Sequence, residues 1–393
     1  MKEFKSILDA VKGIDFSKQK AALATVVKVS GSSYRSPGAR MLITDNGKWV
    51  GSISGGCLEG DALRKARQVM SSKEAMTVRY DTREESNQNL GIGLGCNGVI
   101  DVLIEPLDAS ENSRTIDLFH HILATNQPVA LATVHNGPAN IGEKLLIDQR
   151  GQQVSSFSNE NLRETVETEL IRIFDEKKTE SKSFHVSNAD YEVFLELVVP
   201  NIKLMIFGGG FDARPVSQLA KALGWEVNVT DECVAHIAPI FFPDADKLSL
   251  CHREYIDREF DITPFTACVL MSHNYEYDRD VLRKIIESPT PYIGILGPRK
   301  RFDKMLTEYA SSGLVLTPEQ LSRVHSPIGL DIGAETPDEI ALSIIGEIKG
   351  KFAHRSGGYL KYRQGPIHDR NPRDGQIFKQ FFINNDLTQA ANE

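Results

Sequence analysis

The chain has 393 residues, of which 41% are hydrophobic and 25% are charged, and this length predicts two or three domains rather than a single core. Its net charge of −8 argues against nucleic acid or a membrane surface as the main partner, because both need a basic surface. No apolar run reaches the about 20 residues of a spanning helix, and five scattered cysteines predict reduced thiols in a cytoplasmic protein rather than a disulfide framework.

The first hundred residues have the pattern of a small α+β unit. An amphipathic helix opens the chain, and an Asn-Gly hairpin turn joins two of the strands that follow. The predicted elements are, in chain order, a helix over 4–11, strands over 21–30, 40–44 and 48–53, a helix over 58–70, and strands over 76–80 and 99–105.

The segment from Ser54 to Asp61 joins a predicted strand to a predicted helix and carries the sequence Gly55-Gly56-Cys57. Two glycines allow a sharp turn and a close approach to a ligand. A helix N-terminus favours a thiolate and equally favours a bound phosphate. The alternative is a tight turn that holds a small buried thiol.

Residues 128–200 resemble residues 20–106, which predicts an internal duplication of the α+β unit. The matching segments are LATV (23–26 and 131–134), GARMLI and GEKLLI (38–43 and 142–147), and VIDVLIEP and VFLELVVP (99–106 and 193–200).

The second copy lacks two features of the first. It has SSFSN (155–159) in place of the Gly-Gly-Cys turn, and no counterpart of the glycine-rich loop 91–98 that carries Cys96. Packing constraints are common to both copies, so features that only the first copy has favour a functional role for Cys57 and Cys96.

A strand–glycine loop–helix pattern begins the third section of the chain. A strand over 203–207 precedes Gly208-Gly209-Gly210-Phe211-Asp212-Ala213, a helix follows, and the next strand ends in Asp231. This arrangement is typical of a Rossmann domain, in which the loop receives a pyrophosphate and the acid binds ribose hydroxyls. NAD(P) or another nucleotide is the expected ligand class, although many such domains hold other phosphorylated groups.

Further strands over 267–272 and 292–296 complete the predicted parallel sheet. His273 follows the first of these strands, and the basic cluster Arg299–Arg301 follows the second, so both are expected at the ligand-binding edge. Thr336, Pro337 and Glu339 predict a capped helix.

The predicted fold class is α/β: a C-terminal Rossmann-like, doubly wound parallel sheet preceded by an internally duplicated α+β region. The repeated unit also suggests a homodimer. The predicted divisions are an N-terminal α+β domain (1–108), a degenerate second copy (109–200), a Rossmann-like domain (201–350) and a polar tail (351–393).

Several stretches together match one known family: GSSYRSPGARML (31–42), GSISGGCLEGD (51–61), GLGCNG (93–98), KLMIFGGGFDARP (203–215), VLMSHNYEYD (269–278), YIGILGPRKR (292–301) and HSPIGLDIGAETPDEIALSIIGEI (325–348). In these stretches the chain resembles the xanthine dehydrogenase accessory proteins, the XdhC/CoxI family. It departs from the family pattern at Tyr34, Asn97, Phe211, Asn274-Tyr275 and Pro298.

The resemblance implies a protein that binds molybdenum cofactor (molybdopterin) and protects it while a cysteine desulfurase supplies its sulfido ligand. It further implies delivery of the cofactor to the apo-enzyme of a xanthine dehydrogenase-type molybdenum hydroxylase. Cys57 and Cys96 would then act as soft ligands or sulfide relays, with Cys57 the contact to molybdenum.

The cofactor's phosphate would bind backbone N–H groups, either after Gly208–Gly210 or after Gly56, with added charge from Arg35, Arg40 and Arg299. An NAD(P)-dependent oxidoreductase is the alternative, in which Asp231 would favour NAD. A nucleotidyl transferase that acts on the cofactor is a third possibility.

Overall fold

The structure is a computed structural model that describes residues 1–31, 33–81, 98–107 and 113–364. These residues divide into two units, Glu3–Pro200 and Asn201–Tyr362. The finer divisions near residue 108 and within the tail stay predictions, because 108–112 and 365–393 lie outside the described residues.

The first unit contains two copies of one α+β arrangement, which confirms the predicted duplication. The first copy consists of α1 (Lys2–Val11), β1 (Ala21–Gly31), β2 (Arg40–Thr44), β3 (Trp49–Gly51), α2 (Glu59–Ser72), β4 (Met76–Asp81) and β5 (Gly98–Leu107). The second copy consists of α3 (Ser113–Ala124), β6 (Val129–Asn136), β7 (Lys144–Asp148), β8 (Gln153–Ser155), α4 (Glu160–Glu176), β9 (Glu180–Val186) and β10 (Ala189–Val198).

Each copy forms an antiparallel sheet, and the two strand orders correspond, β3-β2-β1-β5-β4 and β8-β7-β6-β10-β9. The register also corresponds, because Leu23 of β1 pairs with Glu105 and Leu131 of β6 pairs with Glu196. This register makes Glu105 equivalent to Glu196, so the predicted match of 99–106 with 193–200 is displaced by three residues. The first seven residues of the central strand β1 are buried, and all of them except Thr25 are apolar, because both faces of the strand are covered there. Ala22 and Ala24 pack in the cluster that contains α2, whereas Ala21 and Leu23 pack with α1, α3 and the second copy.

The second unit is a parallel sheet with the strand order β13-β12-β11-β14-β15-β16. Numbered from the first strand of this unit, the order is 3-2-1-4-5-6, the order of dinucleotide-binding Rossmann domains. The strands are β11 (Lys203–Phe207), β12 (Glu226–Asp231), β13 (Lys247–Leu250), β14 (Thr266–Leu270), β15 (Tyr292–Ile295) and β16 (Val324–His325).

Helices cover both faces of this sheet, which confirms the doubly wound prediction. Residues Leu204 and Ile206 of β11 pack on the face that carries α5 and α10, and Met205 and Phe207 pack on the opposite face. The helices are α5 (Ala213–Ala222), α6 (Ile256–Glu259), α7 (Tyr275–Ile285), α8 (Arg299–Ser311), α9 (Pro318–Ser322) and α10 (Pro337–Phe352). Helix α10 begins with the predicted capping box of Thr336 and Glu339.

Two ion pairs join the copies of the first unit, and the copy that supplies the cation in one pair supplies the anion in the other. Arg40 of β2 contacts Glu196 of the second copy through two hydrogen bonds, of which the Nη1–Oε1 bond is 3.1 Å long. The Nζ atom of Lys144, which occupies the corresponding position in β7, lies 2.6 Å from Oε1 of Glu105. All four residues are buried, so each copy supplies one cation and one anion to the interface between the copies.

Candidate functional site

The Gly-Gly-Cys loop connects β3 to α2 in the first copy. Gly55 and Gly56 have φ angles of 88° and 121°, in the left-handed region that favours glycine. The Tyr34 ring lies against Gly55, so closely that a Cβ atom there would meet Cδ1 of the ring at 2.7 Å. Cys57 is a half-buried free thiol.

The carboxylate of Glu59, the first residue of α2, folds back into this loop. Its Oε1 atom accepts from the Ser52 hydroxyl at 2.8 Å, and Ser54 donates to the carboxylate through both its N–H and its hydroxyl. Further backbone N–H donors are Ile53 (3.2 Å), Gly55 (3.2 Å), Gly56 (2.9 Å) and Leu58 (3.1 Å). The predicted phosphate cradle at Gly56 therefore already holds an anion of the protein itself.

Hydrogen bonding to Glu59 outweighs the cost of its burial. Burial alone would raise the pKa of this carboxyl, but the donors from Ser54, Ser52 and the loop amides lower it to about 2. The carboxylate is therefore ionised at physiological pH and neutralises the positive end of α2.

Both arginines predicted to add charge in the first copy are engaged by carboxylates. Arg35 forms an ion pair with Glu3 of α1. Arg40 forms the buried pair with Glu196, also donates to the Gly38 carbonyl at 2.7 Å, and is 3% exposed. The structure therefore gives Arg40 a role in joining the copies, since its guanidinium is bonded to Glu196 and to the Gly38 carbonyl.

The remaining cysteines are spread over the chain. Cys96 lies outside the described residues, so its predicted role stays a prediction. Cys251 and Cys268 are buried in the second unit, and Cys233 is exposed there. Burial raises the pKa of Cys268 to about 12, so this thiol stays protonated and its role is packing.

The glycine-rich loop of the second unit follows β11. Gly208 has a φ of 113° and approaches Ser272 so closely that a Cβ atom would lie 2.4 Å from its Cα. The Gly209 N–H donates to Asp231 at 2.8 Å, and the same carboxylate accepts from the Cys233 N–H at 2.8 Å. Asp231, predicted to bind ribose, is thus buried and bonded to its own loop.

Three successive amides of this loop remain available to an anion. Within the described part of the chain, the N–H groups of Gly210, Phe211 and Asp212 donate to no other protein atom. They immediately precede α5, where the positive end of the helix favours an anion. Ala213 begins this helix and is fully buried. Here the predicted phosphate cradle is open, in contrast to the loop at Gly56.

Arg214 lies one residue further along α5, between two aromatic rings. Its guanidinium carbon is 3.8 Å from the centroid of Phe241 and 5.2 Å from that of Phe211. Its Nε atom is buried and has no hydrogen-bond partner among the described residues. Arg214 therefore places a positive charge beside the open loop.

His273 follows β14 at the crevice between β11 and β14 and has a φ of 59°. Its Nε2 atom lies 3.2 Å from an oxygen of Asp212, which connects the two loops at this edge of the sheet. Arg299 is exposed at the start of α8, and in the described residues its side chain has no partner. Arg301 instead forms a 2.7 Å ion pair with the buried Asp278.

Sequence reasoning missed four of these groups: Glu59, Asp212, Arg214 and Asp278. The only sequence signal for the role of Glu59 is the nearby pair Ser52 and Ser54, whose hydroxyl groups can donate hydrogen bonds to a carboxylate. Arg214 follows the glycine motif directly, but its contact with Phe241 depends on long-range packing.

Within the described ranges, no group of three or more His, Cys, Asp and Glu side chains could hold a metal ion, and no helix is long and apolar enough to cross a membrane.

Family models match both units of the chain. Residues 17–81 match the XdhC and CoxI family, and residues 204–348 match the XdhC Rossmann domain. The two matches contain the Gly-Gly-Cys loop and the open glycine loop, respectively.

Full-length relatives are also found. A Bacillus subtilis protein described as a probable xanthine dehydrogenase subunit is 30% identical over 88% of this chain and 97% of its own length. The Escherichia coli molybdenum cofactor insertion chaperone PaoD is 23% identical over 85% of this chain and 84% of its own. A Bacillus halodurans crystal structure, described as a xanthine dehydrogenase, matches with 30% identity and a TM-score of 0.74 over 91% of this chain and 97% of that one.

Proposed function

Because the chain belongs to the XdhC and CoxI family, we propose that it binds molybdenum cofactor and delivers it to the apo-enzyme of a xanthine dehydrogenase-type molybdenum hydroxylase. The role named for the relative PaoD supports this proposal. The observation that carries it is the half-exposed Cys57 in a glycine loop that the second copy lacks. A soft thiol suits the molybdenum–dithiolene end of the cofactor.

For the second unit taken by itself, the loop that precedes α5 is proposed as a binding site for a phosphate group. The free amides of Gly210, Phe211 and Asp212 are suited to phosphate oxygens, and Arg214 supplies a positive charge beside them. Gly208 and Gly209 shape this loop, and Asp231 holds it through the Gly209 amide. His273 lies at the same edge of the sheet, with its Nε2 atom 3.2 Å from Asp212, and adds a polar side chain beside the loop.

A copurification assay tests this assignment. The protein is expressed in cells that make the cofactor, and bound molybdenum and the fluorescence of oxidised pterin are measured on the purified chain. We expect both on the wild type, a clear loss on Cys57→Ala, and retention on Cys233→Ala, which alters an exposed thiol of the second unit. A wild type without pterin, or Cys57→Ala with undiminished pterin, contradicts the proposal.

An NAD(P)-dependent oxidoreductase is the second candidate, and the Rossmann strand order with an open glycine loop is the observation that favours it. Against it stands Asp231, whose carboxylate is bonded to Gly209 and Cys233. Titration with NADH, followed by nicotinamide fluorescence, distinguishes the two functions. Micromolar binding with turnover of a carbonyl substrate would displace the chaperone function; CTP or ATP binding would instead favour a nucleotidyl transferase.

The cysteine desulfurase, the homodimer and the cytoplasmic location stay predictions. Pull-down of the desulfurase with wild type and Cys57→Ala, together with sedimentation of the purified chain, tests the first two. A chain that sediments as a monomer at all concentrations contradicts the homodimer.

A further inference from the structure

The loop between β3 and α2 is built around the Glu59 carboxylate. The amides on both sides of Cys57, those of Gly56 and Leu58, donate to the same oxygen, Oε2, at 2.9 and 3.1 Å. The two backbone amides that flank Cys57 therefore both contact the Glu59 carboxylate. The other oxygen, Oε1, accepts from the amides of Ile53, Ser54 and Gly55.

We propose that Glu59 is the positioning residue of Cys57 and that its carboxylate is an internal anion, which fills the anion-binding loop and excludes phosphate from it. This inference deepens the proposed function and rests on it for the role of Cys57. It assigns the loop to the sulfur-rich end of a cofactor and not to its phosphate. Discrimination against phosphate at Cys57 then comes from loop amides that already donate to a carboxylate and are not free for a second anion.

The second copy shows that the fold does not require this arrangement. Its corresponding helix α4 begins at Glu160, which is exposed and pairs with Arg163. The amide of Leu162 is instead capped by Asn159 at 3.1 Å. A single Asn side chain suffices to begin the helix, so the convergence of the loop donors on Glu59 serves the shape and charge of the Gly-Gly-Cys loop.

Alkylation of Cys57 with reagents of different charge tests the proposal. Rates with neutral iodoacetamide and anionic iodoacetate are measured on the full chain by mass spectrometry of the Cys57 peptide. The ratio of the two rates cancels changes in thiol exposure. In Glu59→Gln the loop amides lose their anionic partner, so we expect the iodoacetate/iodoacetamide ratio to rise by about threefold or more.

Two variants serve as controls. Glu160→Gln removes the charge of the first residue of α4, the equivalent helix of the second copy, and is expected to leave the ratio at the wild-type value. Glu59→Asp retains a carboxylate in the loop and is expected to keep the ratio near the wild-type value. The inference is overturned if folded Glu59→Gln shows the wild-type ratio, or if Glu160→Gln changes the ratio equally.

A measurement on the wild type keeps the inference testable if Glu59→Gln does not fold. Inorganic phosphate is expected to give Cys57 no protection from iodoacetamide, because the loop amides are occupied. Protection by phosphate would overturn the inference. Neither the alkylation assay nor the phosphate-protection assay uses the cofactor. Failure of this inference is therefore distinguishable from failure of the proposed function, which the copurification assay tests.

Discussion

The two copies of the α+β unit have the same strand order and the same helix positions, yet they begin their second helix differently. In the first copy Glu59 folds back into a Gly-Gly-Cys loop, whereas in the second copy Asn159 caps the helix. The strands that build the core are alike in both. The comparison therefore separates what the fold needs, a simple cap, from what the first copy adds, a shaped loop with a thiol.

The largest expected effect concerns what the copies share, the buried ion pairs that join them. Replacing Glu196 by Leu leaves Arg40 buried without its carboxylate, which is expected to cost about 3–5 kcal/mol in the free energy of unfolding. The double replacement Arg40→Leu/Glu196→Leu also removes the unpaired buried charge of Arg40. It is expected to recover most of the lost free energy of unfolding.

Denaturation by urea, followed by Trp49 fluorescence in a Trp225→Phe background, measures this effect in the first unit; these are the two tryptophans of the chain. Glu105→Leu leaves Lys144 buried without its carboxylate in the same way and provides the matched variant. If Glu196→Leu is as stable as the wild type, the pairs do not join the copies.

The next effect concerns the loop that differs. The folded pKa of Glu59, about 2, lies below its ordinary value of 4.5, so its contribution to stability is present above pH 4.5 and is lost as the pH falls towards 2. The shift corresponds to about 3 kcal/mol at neutral pH. We expect Glu59→Gln to lose a large part of this free energy and Glu160→Gln to lose none that urea denaturation detects. Equal losses in both variants would remove the distinction between the copies.

A third effect concerns a histidine that the first copy replaces by valine. His135 is buried at the position that corresponds to Val27, and its Nε2 atom lies 2.6 Å from the Ser181 hydroxyl. Burial lowers its pKa to about 4, so the unfolded state binds a proton first as the pH falls below 6.5. The first unit is expected to lose about 2 kcal/mol between pH 7 and pH 5 from this group.

The variant His135→Val tests this expectation because it introduces the residue of the first copy. Its urea midpoint is expected to vary less between pH 7 and pH 5 than that of the wild type. A pH dependence as steep as in the wild type would show that other groups cause it.

The smallest effect is the cap of the second copy. Asn159→Ala removes the acceptor for the Leu162 amide and is expected to cost about 1 kcal/mol, the usual value of a helix cap. Thermal unfolding measures it. A cost as large as that of Glu59→Gln would mean that both helix starts depend equally on their side chains.

Contiguous patterns made much of the fold predictable. The apolar strand 203–207, its glycine loop and the Thr336 capping box are each specified by neighbouring residues, and the structure confirms them. The short edge strands β13 and β16 were not predicted, because four and two residues carry too little alternation to distinguish them from loops.

The site was less predictable because its main contacts join side chains that are far apart in the sequence. The sequence assigned Arg40 to a ligand, but its partner Glu196 lies 156 residues away. The sequence also could not choose between the two glycine loops as the phosphate cradle. The choice depends on which loop is filled by a carboxylate, and the structure shows Glu59 in one and free amides at Gly210–Asp212 in the other.

The most direct test of the account is transfer of cofactor to an apo-hydroxylase of the xanthine dehydrogenase type. The apo-enzyme is incubated with wild type, Cys57→Ala or Phe157→Ala, each purified from cells that make the cofactor; Phe157→Ala alters the corresponding loop of the second copy. We predict that wild type and Phe157→Ala restore hydroxylase activity, and that Cys57→Ala restores little. Full activity with Cys57→Ala, or its loss with Phe157→Ala, would contradict the assignment of the function to the first copy.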